Sequence, residues 1–447
     1  MKHKTKKPWS VPNINYLCYP AGPLQGRLRV PGDKSISHRA IIFGAIADGD
    51  TTVNGLLESA DTIATADVFR EMGVHIENQD GRVVVHGAGI RGLKSPRQPL
   101  YFGNSGTSVR LLAGVLAGQP FNSELIGDKS LMQRPMRRIV GPLREMGADI
   151  QCSETGTLPL RIRGGNRLQA INYQMPVASA QLKSCLLLAG LYANGITRII
   201  EPGLTRDHTE RMLPAFGCKI TRDGDTIALT PGSLKSTSID VPGDISSAAF
   251  FIVAASICPG SDVVLERVGI NPTRHAVIEI LERMGADIRI ETLEHIGAEP
   301  VADIHIKYRP LNGIKIPPSL VPIAIDEFPA ILIAAASARG VTILSEAAEL
   351  RVKESDRIEA MADGLGRVGI EVATSRDGIS VTGGTITGGV VNSFGDHRIA
   401  MAFAAAALHA SNPIKILDCV NVNTSFPDFV NIGASVGMKI DIEENHD

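Results

Sequence analysis

One pattern recurs six times along this chain: a polar turn, a helix of small apolar residues, a β-branched strand, then a second helix that stops at a Gly before another strand. The six helix starts read PGDKSISHRAII from residue 31, FGNSGTSVRLLAG from 102, PVASAQLKSCLLLAG from 176, PGDISSAAFFIVAA from 242, IDEFPAILIAAA from 325 and FGDHRIAMAFAAAA from 394. The closing glycines are Gly73, Gly147, Gly217, Gly285, Gly369 and Gly437. Their spacing of roughly 70 residues is longer than solenoid periods, so the chain reads as six copies of one α/β unit. Each polar turn begins a helix, and the free N–H groups and positive dipole end there form a natural anion site.

At 447 residues the chain is too long for a single core, so two lobes of three repeats each are expected. The near-copies PGD at 31–33 and 242–244 mark the crossings between lobes. This division predicts a lobe of residues 34–243, a discontinuous lobe of residues 1–33 and 244–447, and a hinge near 31–34 and 242–245. Strands are predicted at 51–53, 123–126, 197–200, 262–265, 341–344 and 414–417, each soon after a turn. The helices lack a clear polar face, which predicts that they lie inside.

The net charge of −2 gives no argument for nucleic acid or an anionic membrane, so any anion binding must be local. The first twelve residues are basic, but no sustained apolar stretch follows them, and the longest apolar runs are too short for a bilayer. Six scattered cysteines without a CxxC pair fit reduced, buried thiols. A cytoplasmic, monomeric protein without cofactor or metal is expected. His208 lies in no metal-ligand spacing, and no acyl-transfer nucleophile motif is present.

Several motifs allow both a chemical and a bland reading. PGDKSISHR places Lys34 and Ser35 at a helix start and Arg39 a turn inside, where they could hold a carboxylate or phosphate; the alternative is a serine cap with solvated neighbours. It lacks the P-loop spacing, and GNSG from residue 103 is not a dinucleotide fingerprint. GNSGTSVR is either a ligand-approaching loop around Asn104 and Gly106 or a tight turn. QRPM offers Arg134, ASAQLK offers Ser179, Ala180 and Gln181, and TRDH offers Thr205 and Arg206. In ELRVKESDR, helical spacing puts Lys353 and Arg357 on one face and turns Glu354 elsewhere; a salt-bridged surface helix is the alternative. Asp396, His397 and Arg398 lead directly into an apolar helix, and Asp326 opens another.

In this order and over almost the whole chain, PGDKSISHR, GNSGTSVRLL, QRPM, ASAQLKS, TRDHTE, RVKESDR and DHRIAMAF resemble the enolpyruvylshikimate-phosphate synthases. The resemblance implies a two-lobed inside-out α/β barrel of six βαβαββ-type repeats, three per lobe, closing around shikimate 3-phosphate and phosphoenolpyruvate. It further implies that Lys34, Ser35, Arg39, Ser179, Ala180, Gln181, Thr205, Arg206, Asp326 and Lys353 hold shikimate 3-phosphate. Lys34, Asn104, Gly106, Arg134, Gln181, Arg357 and Arg398 would surround phosphoenolpyruvate. Asp326, Glu354 and Lys34 would move the protons.

Both substrates carry a carboxylate and a phosphate, so converging cations and helix N-termini suit them. Mutual repulsion among those cations predicts an open cleft that closes when anions arrive. The chain departs from the enteric-type pattern at Glu349, where that type has Asn, and at Thr424, where it has a phosphoenolpyruvate-contacting Lys. These features resemble the second class, whose members often tolerate the inhibitor glyphosate and often carry Ala where Gly106 stands. A UDP-N-acetylglucosamine enolpyruvyl transferase is the nearest rival, but that family uses a loop Cys and residues 122–134 contain none. A non-catalytic anion-binding scaffold has no use for the two acids among the cations, and an RNA-end cyclase would need a nucleotide site and a catalytic His that the sequence does not offer.

Overall fold

The computed structural model describes residues 13–79 and 81–445; the basic segment that opens the sequence lies outside them. Helices and strands alternate throughout, giving a mixed α/β fold. Five of the six repeated turns cap their helix with a short polar side chain that accepts a backbone N–H. The caps are Asp33, Ser105, Ser179, Asp244 and Asp396. The first turn is thus capped by Asp33, and Ser35 lies inside the helix Lys34–Ile46, where the sequence alone suggested a serine cap. The fifth helix, Phe328–Ala336, starts after Glu327 with Pro329 in its first turn and has no side-chain cap, so Asp326 sits in the preceding turn. All six closing glycines have positive φ, the conformation that terminates a helix without a Cβ penalty.

The strands form six open sheets of three to five strands, none of which closes on itself, so the expected barrel is absent. In the first sheet, Ala47–Asn54 pairs antiparallel with Arg82–Ala88, which pairs with His75–Gln79. The other expected strands appear as Ser123–Ile126, Thr197–Ile200, Asp262–Gly269, Val341–Leu344 and Ile414–Leu417. Two exchanges stitch distant parts of the chain together. Ser238–Asp240 runs parallel to Ala47–Asn54, and Gln25–Leu28 runs parallel to Asp262–Gly269. Asn13–Tyr19 inserts between Ile414–Leu417 and Lys439–Asn445, taking the place that a hairpin strand fills in the first sheet.

The buried apolar side chains fall into two clusters. One draws on residues 36–241, the other on residues 16–30 and 245–438. The helix Ile245–Ile257 is buried along its whole length, because its Ala, Ile, Val and Phe side chains meet neighbours on every side. Small residues permit such crowding: a Cβ on Gly114 would stand 2.1 Å from the Cys185 carbonyl oxygen of the neighbouring helix. The six cysteines are free thiols, and five are buried. Among the described residues no helix is long and apolar enough to cross a membrane.

The chain passes between the clusters at the two PGD turns, which bond to each other. Asp33 N–H donates to the Pro242 carbonyl at 2.8 Å and Asp244 N–H to the Pro31 carbonyl at 2.9 Å. Gly32 also lets the first turn pack against the end of the strand Ala47–Asn54, since a Cβ there would lie 2.1 Å from the Gly55 carbonyl oxygen. Arg274, with 2% of its side chain exposed, joins the two capping aspartates: it donates to Asp33 at 3.0 Å and to Asp244 at 3.2 Å. Burial raises Asp33, but Arg274, His208, the Ile36 N–H and Arg206 together outweigh it and bring its carboxyl down to about 2.

Candidate active site

The N-termini of helices from both clusters face one cleft. Of the residues assigned from sequence to the substrates or to proton transfer, all but Arg39 line it, from Lys34 and Ser35 through Asn104, Arg134 and Ser179 to Asp326, Glu354 and Arg398. Arg39 does not reach the wall. Its guanidinium is bound behind Ser35, to the Ser35 carbonyl at 2.9 Å, Ser184 at 2.8 Å and Thr209 at 2.7 Å. Thr424 is also outside; its hydroxyl donates to the Asn421 carbonyl at 2.6 Å, while its neighbour Ser425 accepts from Lys34 Nζ at 2.9 Å.

On the 36–241 side, Lys34 Nζ lies 2.6 Å from Asp61 Oδ2. Arg134 follows a short 3-10 turn, donates to Asn104 Oδ1 at 2.5 Å and reaches across to Glu354 Oε1 at 3.4 Å. Asn104 is oriented by its own donation to Asp128 at 2.7 Å. Gln181 Oε1 accepts from the buried Arg110 at 2.7 Å, and its amide donates to Thr107 at 3.2 Å. Ser179 caps the helix Ala180–Gly190, so Ala180 offers the free backbone N–H groups of a first turn to the cleft.

The opposite wall is built around Asp326. Its carboxylate accepts from Arg206 and from Arg357 at 3.2 Å, and has Lys353 at 3.6 Å and Arg398 at 3.9 Å. Burial opposes its ionisation, but Lys353, Arg206, Arg398 and Arg357 hold it well below the usual carboxylate range. Glu354 accepts from Arg357 at 2.7 Å; burial again raises it, and Arg357 and Arg134 again win, so it too is held far below that range. Arg357 is 1% exposed and has a third partner in the capping Asp396, 2.8 Å from its Nε. Such a buried cation is tolerated because carboxylates surround it. His397 is pushed down to about 3 by burial, so its ring is neutral at pH 7.

The stretch around Lys353 departs from the helical spacing read off the sequence. Residues 348–352 form a 3-10 turn, and the helix Arg357–Arg367 starts only after its cap, Asp356. Lys353 and Arg357 therefore do not share a helix face, yet both meet on Asp326, and Glu354 faces Arg357. The surface alternative survives in the bonds of Lys353 to Glu349 at 2.8 Å and of Arg351 to Asp356 at 2.8 Å. Asp61, Asp326, Glu354 and Asp396 are set among the cations of the cleft and offset part of their mutual repulsion.

Asp61 and Arg274 were not singled out from sequence. Asp61 lies in the first turn of the helix Ala60–Glu71 behind its Ser59 cap, in a run that reads as an ordinary amphipathic helix start. Arg274 sits in an NPTRH turn whose partners Asp33, Asp244 and Ser246 lie 241, 30 and 28 residues away, so no local pattern marks it.

Two acids held ionised among cations at helix N-termini define a cleft for small dianionic molecules with capacity for proton transfer. The sequence model of EPSP synthase (3-phosphoshikimate 1-carboxyvinyltransferase) matches residues 18–432. A 3-phosphoshikimate 1-carboxyvinyltransferase of Methylococcus capsulatus is 59% identical over 432 residues, covering 96% of this chain and 99% of that protein. The structure of EPSP synthase from Acinetobacter baumannii superposes with a TM-score of 0.87 at 53% identity, covering 97% of this chain and all of the other. The enolpyruvyl transferase NikO from Streptomyces tendae, 17% identical over 98% of this chain and all of the other, shares the fold with a TM-score of 0.79. The chain belongs to the EPSP synthase family.

Proposed function

We propose that this chain transfers the enolpyruvyl group of phosphoenolpyruvate to the 5-hydroxyl of shikimate 3-phosphate and releases phosphate, on the route to aromatic amino acids. The observation that carries this reading is the pair Asp326 and Glu354, ionised at the meeting point of Arg134, Arg206, Lys353, Arg357 and Arg398. Binding dianions alone has no use for two acids there.

In the proposed reaction, Arg134, Arg357 and Arg398 take the anionic groups of phosphoenolpyruvate, with Lys34, Asn104, Gly106 and Gln181 around it. Ser35, Ser179, Ala180, Thr205, Arg206 and Lys353 take shikimate 3-phosphate, and Arg39 orients Ser35 from behind. Asp326, already ionised, accepts the proton of the attacking hydroxyl. As substrate anions claim Arg134 and Arg357, the ionised form of Glu354 loses its stabilising partners, so its carboxyl can take up a proton and deliver it to the enol methylene. Lys34, bonded to Asp61, serves as a second proton carrier. Glu354 adds a proton to the methylene as the hydroxyl oxygen forms the new C–O bond; the C–O bond to phosphate then breaks while the resulting carboxylate takes a methyl proton back, and the hydroxyl's proton passes from Asp326 to the departing phosphate, which balances the reaction. Exchange of internal carboxylate partners for substrate anions would accompany closure.

We infer the finer architecture on the same footing. Separate cores, the two strand exchanges and the paired PGD turns support lobes of residues 34–243 and of 1–33 with 244–447, hinged near 31–34 and 242–245. Six sheets with helices buried between them support six βαβαββ-type units, three per lobe. One chain supplies every group named, which supports a monomer; free buried thiols support the cytoplasm. Phosphate release tests the assignment. Release is expected with shikimate 3-phosphate and not with UDP-N-acetylglucosamine, and the reverse would overturn it.

A further inference from the structure

The first sheet carries a cluster unconnected with the cleft. His75 and His86 are directly paired across neighbouring antiparallel strands, and Glu77, two residues beyond His75, shares their face. Both imidazoles turn Nε2 toward the one carboxylate: His86 Nε2 lies 3.1 Å from Glu77 Oε1 and His75 Nε2 lies 3.5 Å from Glu77 Oε2. The rings stack with centroids 5.0 Å apart. Ligand atoms of the three residues all lie within 4.8 Å of one another.

These separations have a specific meaning. A tetrahedral ion bound at about 2.0–2.1 Å has ligand-to-ligand edges of about 3.4 Å; each Nε2 lies near that distance from one of the two Glu77 oxygens, His86 from Oε1 and His75 from Oε2. Asp50, on the third strand, accepts from His86 Nδ1 at 2.9 Å. That bond fixes the ring and leaves Nε2 to act as ligand, the arrangement in which an outer carboxylate orients a metal-bound histidine. Gln79 donates to Glu77 at 2.6 Å and steadies the third ligand. We propose that His75, Glu77 and His86 form a three-ligand site for a borderline divalent cation, Zn²⁺ foremost, with a fourth position open to water and Asp50 as orienting group. Two imidazoles and one carboxylate suit Zn²⁺ better than Mg²⁺ or Ca²⁺, which take oxygen ligands. Sequence reading passed over the site because no two histidines here have metal-ligand spacing; the strand register alone brings them together.

Isothermal titration of the chelator-stripped full chain with ZnCl₂ tests this. One saturable site is expected, with Kd on the order of micromolar. It should vanish in His75→Ala and His86→Ala, and weaken by about 10–100-fold in Asp50→Asn. Glu77→Gln, nearly isosteric, should weaken binding without disturbing the sheet, so the proposal stays testable if a histidine variant folds poorly. Phosphate release should be unchanged in all variants that fold. No saturable site in the wild type, or one kept at full affinity in the His75→Ala/His86→Ala double variant or in Glu77→Gln, would overturn it.

Discussion

Replacing Asp326 by Asn separates catalysis from binding. The carboxamide keeps the shape and one acceptor oxygen but cannot take a proton from the attacking hydroxyl. A general base contributes roughly 10²–10⁴ in rate, or about 3–5 kcal/mol of barrier, so kcat should fall by about a thousandfold. The cost in stability should be much smaller than for an orphaned buried charge, which loses ~3–5 kcal/mol. Arg357 keeps Glu354 at 2.7 Å and Asp396 at 2.8 Å, and Lys353 keeps Glu349 at 2.8 Å. We therefore expect a loss of ~1–2 kcal/mol, within the ordinary range for single substitutions. Phosphate release measured over a grid of both substrates gives kcat and KM separately, and a calorimetric scan gives Tm. The expected split is a collapsed kcat, KM values within about threefold of wild type and a Tm lower by a few degrees. A kcat within tenfold of wild type, or a raised KM with kcat intact, would refute the assignment of Asp326 as base.

Asp33→Asn weakens the pairing with Arg274, at a cost of ~1–3 kcal/mol near neutral pH. Because the folded carboxyl is depressed to about 2, wild type holds this advantage above the unfolded value near 4 and loses it as pH falls toward 2. Urea unfolding of both proteins across that window should show the gap closing; a constant gap would contradict the pairing. In Gly106→Ala, the added Cβ would meet Arg110 at 3.0 Å and Arg134 at 3.1 Å. Displacing Arg134 should raise KM for phosphoenolpyruvate and the inhibitory concentration of glyphosate by roughly tenfold, with KM for shikimate 3-phosphate little changed. Unaltered phosphoenolpyruvate kinetics would show that the methyl is accommodated elsewhere.

What the sequence disclosed follows the range of the forces involved. Helix caps and closing glycines act over three or four residues, so the helix starts, their closing glycines, the strands that follow and most cleft-facing residues could be read locally. The boundary at Arg357 was also legible in principle, since Asp356 followed by Glu359 is a helix-start pattern; Asp356 accepts from the Glu359 N–H at 3.1 Å. The helical spacing assumed through Lys353 overlooked it. Arg39 resembled a ligand because charge near a helix start suggests anions, whereas Ser184 and Thr209, supplied by distant segments, bind its guanidinium. Asp61, Arg274 and the His75–His86 pair depend on tertiary placement or strand register, which no short window of sequence encodes.

The account rests on both anionic substrates sharing one cleft with Asp326 and Glu354, and a crystal structure with shikimate 3-phosphate and glyphosate tests this most directly. It predicts the inhibitor's anionic groups against Arg134, Arg357 and Arg398, and the acceptor's 5-hydroxyl within hydrogen-bonding distance of Asp326. Either ligand bound outside the cleft, or a 5-hydroxyl turned away from Asp326, would contradict it.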